Sequence, residues 1–341
     1  MTLRGGHVTG FIPFDKSSLV VDAAEMRFYI ILATFLPLGV GCASSPTTVT
    51  SVHDLDIDVR SDTQILVPQS GKPLDWNGVL EIVAEHDVVL VGEQHDDPVG
   101  HGVELALVED VMDRWPKSAV AMEMLERDEQ LLVDDYFDDV IDAEQFEKLT
   151  FSTNWFGNGG WTGWYQPIID AVKSRGGRLI AANAPRRYVR MARSGGYEKI
   201  DALSDDRRVL VDFPDELSGG RYRERFWELA GVHGEEEGEK EADADAVEID
   251  PDDPILPFYR SQQAWDATMA QSVANAVSHR GKVVLLVGQF HVEYDGGIVQ
   301  ELRQRAPHAS VLVISLQRTT PDDQDWDGEL PIADIVILTE P

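Results

Sequence analysis

Cysteine is almost absent. Cys42 is the single one among 341 residues, so no disulfide can form within the chain. Positive charge is scarce as well. Against 61 Asp and Glu stand 29 Lys and Arg, a formal net charge of −32. That balance excludes nucleic acid as a partner, because phosphate backbones are held by clustered cations. There are no long apolar runs of the roughly 18 residues that a membrane-spanning helix needs, which excludes a polytopic membrane protein. G-x-S-x-G is missing, and with it the elbow of a serine hydrolase. G-x-x-x-x-G-K-[ST] and G-x-G-x-x-G are missing, so phosphate cradling has no support. H-E-x-x-H is missing, and the lack of C-x-x-C-H excludes covalently attached haem.

What is present is enough apolar material, 43% of residues, to build a packed core. The first segment with its own character is 26–42. A single positive charge, Arg27, precedes an apolar run of about a dozen residues, then Gly39-Val40-Gly41-Cys42. That is the pattern of a signal peptide, too short for a stable membrane span. A Cys directly after the run, followed by Ala43-Ser44-Ser45, resembles a bacterial lipobox with Cys42 as the lipidated residue. The acids Asp15, Asp22 and Glu25 do not suit a targeting segment, so residues 1–25 read as an upstream extension. Residues 43–62, rich in Ser, Thr, Val and Asp, read as a flexible tether, and 63–341 as a single large domain.

Within that domain short apolar strands alternate with amphipathic helices. Strands are expected at Val88–Val91, Ser118–Met122, Arg178–Ala182, Val283–Val287, Val311–Ser315 and Ile335–Leu338. Helices are expected at about Val99–Trp115, Gly163–Ser174, Arg221–Ala230, Tyr259–His279 and Gly297–Arg305. The pattern predicts an α/β fold: a mainly parallel or mixed sheet with helices on both faces and helical insertions. Residues 235–253 hold eleven acids and one Lys. Such a stretch cannot bury apolar area, so about 233–254 reads as a disordered acidic insertion.

Ligands of open α/β sheets bind beyond the carboxyl ends of the strands. Four strands end there in Gly92-Glu93-Gln94-His95, Met122-Glu123, Ala182-Asn183 and Gly288-Gln289-Phe290-His291. Glu93, His95, Glu123, Asn183 and His291 are thus expected on one rim. Each alone is commonplace; their recurrence at equivalent positions is the signal. Imidazole with carboxylate suits general acid/base work, a transition metal or axial ligation of haem iron. Asn154–Tyr165 packs three Trp, one Phe and one Tyr with four Gly into twelve residues. It reads either as a hydrophobic plug over the sheet or as the wall of a flat apolar ligand, with Tyr165 as ligand or donor. Arg186 and Arg187 could meet ligand carboxylates or make surface salt bridges.

At these residues the sequence resembles the ChaN-like haem-binding lipoprotein family of the Tiki superfamily. The likeness runs over roughly 65–317. It rests on Gly92-Glu93-Gln94-His95-Asp96 with His101 downstream, Ala121-Met122-Glu123-Met124-Leu125 and Trp164-Tyr165-Gln166-Pro167-Ile168. It continues with Ala182-Asn183-Ala184-Pro185-Arg186, Gln262-Gln263-Ala264-Trp265-Asp266 and Gly288-Gln289-Phe290-His291. The resemblance implies an outer-membrane lipid-anchored protein of the cell envelope. It would bind haem or an iron complex non-covalently for iron acquisition, in concert with uptake machinery and with haem held between the subunits of a homodimer. In this reading Tyr165, His95, His101 or His291 would ligate iron. Glu93 and Glu123 would orient the ligands, while Asn183 and Arg186 would touch the cofactor. The superfamily also holds metal-dependent peptidases and erythromycin-esterase-like hydrolases. The alternative is therefore a hydrolase with Glu93, Glu123 and His291 as catalytic groups and Zn or Mn at the site.

Overall fold

The molecule was analysed as a computed structural model that describes residues 51–150, 160–231, 249–277, 281–319 and 330–340. Cys42, the leader segment, most of the acidic insertion and Asn154–Gly159 of the aromatic stretch lie outside the described residues. One sheet of eight strands organises the rest: β1 (Gln64–Val67), β2 (Lys72–Leu74), β3 (Val88–Glu93), β4 (Ala119–Glu126), β5 (Arg178–Asn183), β6 (Val283–Gly288), β7 (Val311–Gln317) and β8 (Ile335–Leu338). Their spatial order is β2-β1-β8-β7-β3-β6-β4-β5. Six neighbours, β8 to β5, run parallel; β1 joins β8 and β2 in antiparallel pairs. The mixed α/β sheet expected from the sequence is the one found.

The central strands read as continuous apolar runs because both faces are covered. Side chains alternate across a strand, and β3 shows the consequence. Val89 and Val91 enter one core with Val103, Leu107 and Val111 of helix α1 (Pro98–Arg114), Trp161 and Trp164 of α2 (Gly160–Trp164), and Ile168 and Val172 of α3 (Gln166–Ser174). Val88 and Leu90 enter the opposite core. Ala184, Tyr188 and Val189, at and within α4 (Arg186–Gly195), make a satellite cluster with Ala264 of α5 (Leu256–Ala276), while Met269 and Val273 of α5 and Ile298 and Leu302 of α6 (Gly297–Arg305) complete that opposite core. Each such aliphatic side chain, fully buried, contributes about 1.5–3 kcal/mol.

Two boundaries differ from the sequence reading. The tether assigned to 43–62 is packed from Ser51 onward. Val52 and Val59 are buried, and Arg60 donates to Asp110 at 2.9 Å on α1. Gly102 of α1 admits this segment: a Cβ there would lie 2.5 Å from Leu55. Polar composition hid a stretch held by a few apolar anchors. Strand β4 also runs four residues beyond the apolar run that marked it. Its pairing with β5 shifts register between Met122 and Glu126, an irregularity that carries Glu123. Helix α4, rich in Arg, and the three-residue β2 gave too little apolar period to be recognised.

The parallel register fixes the functional edge. Glu93 lies opposite Gly288, and Met122 pairs with Leu286 two residues below. The carboxyl ends of β3, β4, β5 and β6 therefore come together. Among the described residues, no helix is long and apolar enough to cross a membrane.

Candidate functional site

Strand β3 delivers Glu93, which is 2% exposed. Its Oε1 accepts from His95 Nδ1 at 2.7 Å and from the Tyr165 hydroxyl at 3.2 Å. Its Oε2 lies 3.1 Å from His101 Nδ1. Helix α1 presents His101 and Glu104 one turn apart on its inner face. Asp97 caps that helix by accepting from the Val99 amide, and Pro98 fills its first position. His101 Nδ1 is 2.9 Å from Glu104 Oε2, while its Nε2 donates to the His95 carbonyl at 3.2 Å. The ring is sandwiched by Trp164, stacked at 5.0 Å, and Tyr165, edge-on at 4.6 Å.

A second group faces the first across β6. The bulged part of β4 turns Glu123 so that its Oε2 accepts the Gly288 amide at 2.7 Å. Its Oε1 lies 3.5 Å from His291 Nε2. On the other side of that ring, Asp266 Oδ1 takes Nδ1 at 2.5 Å. Asp266 is itself fixed by the Tyr222 hydroxyl at 2.5 Å and Gln263 at 3.2 Å. Gly297 permits the close approach of α6 to α5, since a Cβ there would fall 2.1 Å from Asp266 Oδ2. Gly288 is the hinge between the groups. A Cβ on it would lie 3.3 Å from His95 Nε2 and 3.5 Å from Glu123 Oε2.

Burial and charge set the protonation states. Burial pushes Glu123 up, but the cationic His291 and His95 and the Gly288 amide outweigh it and hold it down at about 2. Burial pulls His291 down, and Glu123 and Asp266 override that to raise it to about 10. His101 rises in the same way to about 9, through Glu93 and Glu104. Burial and the Glu93 charge lift Glu104 to about 7. Burial, then Glu93 and Glu104, push the Tyr165 phenol well above its ordinary value, so it stays neutral. His95 is raised too: burial lowers it and the Glu93 carboxylate more than compensates.

The structure brings Glu93, His95, His101, Glu123, Tyr165 and His291 to one edge. Their exposure separates them. His101 and Tyr165 are fully enclosed, and the His291 side chain is 7% exposed, whereas that of His95 is 35% exposed. Asn183 is buried and structural in its contacts: its amide donates to the Glu123 carbonyl at 2.9 Å, and its oxygen accepts the Ala184 amide. Arg186 lies at the start of α4, with its backbone amide and guanidinium both directed to Glu126. Arg187 pairs with Asp128 at 2.7 Å. Of the aromatic stretch, Trp161, Trp164 and Tyr165 are core residues beneath the edge. Sequence reasoning passed over Glu104 and gave Asp266 no role. A His-x-x-Glu spacing inside the otherwise apolar stretch Pro98–Val108 was the available signal for the first. An acid in the middle of a 21-residue helix was the signal for the second.

The family described as "Haem-binding uptake, Tiki superfamily, ChaN" matches residues 79–302. The solved structure described as cofacial heme binding to ChaN of Campylobacter jejuni superposes with a TM-score of 0.55 at 20% identity, over 82% of this chain and 97% of that one. It shows the shared fold. The plant protein RETICULATA-RELATED 5, chloroplastic, of Arabidopsis thaliana is 26% identical over a 291-residue alignment that covers 78% of this chain. The chain spans 36% of the length of that relative.

Proposed function

The chain belongs to the ChaN haem-binding uptake family of the Tiki superfamily, and from that premise we propose that it binds haem at the carboxyl edge of its sheet, with His95 as the iron ligand. One observation carries the choice of residue. His95 is the imidazole of the cluster with substantial exposure, and its Nδ1 is held by the buried Glu93 carboxylate. A carboxylate behind a ring nitrogen fixes the ring and raises its basicity, leaving Nε2 as the nitrogen that meets a metal. The donor set therefore fits haem, which would bring a redox-active iron and a flat apolar face. Gly288 brings no side chain toward Nε2, where a Cβ would lie 3.3 Å away, and Arg186, now 3.7 Å from Glu126, would exchange that pair for a propionate.

At Glu123 and His291 the electrostatics favour a fixed charge pair over proton transfer. A general base works best with a pKa near the working pH. His291 at about 10 and Glu123 at about 2 form a locked ion pair at neutral pH. Such a pair holds geometry rather than shuttling protons.

We further propose that the protein serves iron acquisition as an envelope lipoprotein anchored through Cys42, in the outer membrane. The apolar segment before Cys42 supports that reading. Metabolic labelling with a fatty acid tests it, with label expected in the wild type and lost in Cys42→Ala. Haemin titration followed in the Soret region tests the ligand: a one-site shift is expected in the wild type and its loss in His95→Ala.

A further inference from the structure

We propose that Glu93, His101 and Glu104 form a buried site for one first-row divalent transition-metal ion, beneath the His95 rim. One atom from each residue lies within 4.8 Å of the other two, and all three residues are buried. The two distances from His101 are those of ligands around a shared ion. His101 Nδ1 is 3.1 Å from Glu93 Oε2 and 2.9 Å from Glu104 Oε2. With bonds of about 2.1 Å, neighbouring ligands are about 3.0 Å apart at right angles and about 3.4 Å apart in a tetrahedron.

Two independent features point to a ligand there. The first is unmet valence. Glu104 Oε1 is buried with no partner, and Glu93 Oε2, also buried, accepts no hydrogen bond and has only the His101 ring beside it at 3.1 Å. A buried carboxylate oxygen normally has a donor, and leaving it without one is costly. The second is the outer contact of His101. Its Nε2–H donates to the His95 carbonyl, which fixes the ring with Nδ1 aimed between the two carboxylates. That is the arrangement of a metal-bound imidazole. Ion binding would displace the proton from Nδ1, and any proton on Glu104, to solvent. One imidazole nitrogen with two carboxylates suits Mn, Fe, Co or Zn better than the all-oxygen preference of Mg or Ca.

This site does not depend on haem. Glu93 joins the two, because Oε1 holds His95 while Oε2 faces the proposed ion.

The test uses purified full-length chain stripped with chelator and titrated with Co2+ alone, by calorimetry and visible absorption. One Co2+ per chain is expected, with a melting temperature that climbs with Co2+, and a tenfold excess of Mg2+ should not displace it. Glu104→Gln should weaken binding at least tenfold, while Glu144→Gln, at an exposed acid outside the cluster, stays within threefold of wild type. Crystals soaked in Co2+ give a readout that needs no variant: an anomalous peak is expected within about 2.5 Å of His101 Nδ1. Absence of stoichiometric binding, a peak between His95, Glu123 and His291 instead, or undiminished binding by Glu104→Gln would overturn the proposal. Haemin titration on the same preparation reports the haem reading separately.

Discussion

Asp266 and His291 meet at 2.5 Å, carboxylate against imidazole, on elements 25 residues apart in sequence and with almost no solvent at either group. Removing one partner of a buried pair leaves the other charge uncompensated, at a cost of about 3–5 kcal/mol. Asp266→Asn keeps the shape and should lose stability of that order, through His291 and the Tyr222 hydroxyl together. Urea unfolding checks it. A loss below about 1 kcal/mol would mean the contact is not formed in solution.

The same pair fixes a dependence on pH. The folded pKa of His291 is raised from its ordinary value to about 10. Its contribution is therefore fully present below the unfolded value of about 6.5 and lost as pH rises through about 10. Melting temperatures of wild type and His291→Gln, measured from pH 6 to 10, should converge as pH rises. Parallel curves would contradict the assignment.

Tyr165 is enclosed and neutral, with its hydroxyl on Glu93 at 3.2 Å. Tyr165→Phe should cost about 1.5–3 kcal/mol, the range for one lost bond to a charged group. It should leave the position of the haemin Soret band where it is in wild type. A displaced band would make the phenol the iron ligand.

Gly288 has an unstrained backbone, φ −53° and ψ 134°, so Gly288→Ala tests space alone. Its methyl would sit 3.3 Å from His95 Nε2. Haemin affinity should fall about tenfold, or about 1.4 kcal/mol, while the melting temperature moves by only a few degrees. Unchanged affinity would place haem elsewhere.

The sheet was readable because Val88–Val91, Val283–Val287 and Leu312–Ile314 are buried on both faces and so are apolar throughout. The edge was readable because a strand's end fixes where its next residue goes: Glu93, Glu123 and His291 needed only the topology. Two features escaped for different reasons. The roles of Glu104 and Asp266 depend on which side of a helix faces the sheet and on what sits opposite, and apolar periodicity is weak where a buried face is itself polar. The packing of Ser51–Asp62 rests on Val52, Leu55 and Val59 settling on α1, three contacts scattered through a polar stretch. Exposure was equally hidden. Nothing in the spacing of His95, His101 and Tyr165 says that the first reaches the rim and the other two lie beneath it.

The most direct test is a haemin titration of wild type and His95→Ala side by side, each shown to be folded by its melting curve. The account predicts a saturable Soret shift at one haem site in the wild type and no such shift in His95→Ala. An undiminished shift in the variant would contradict it.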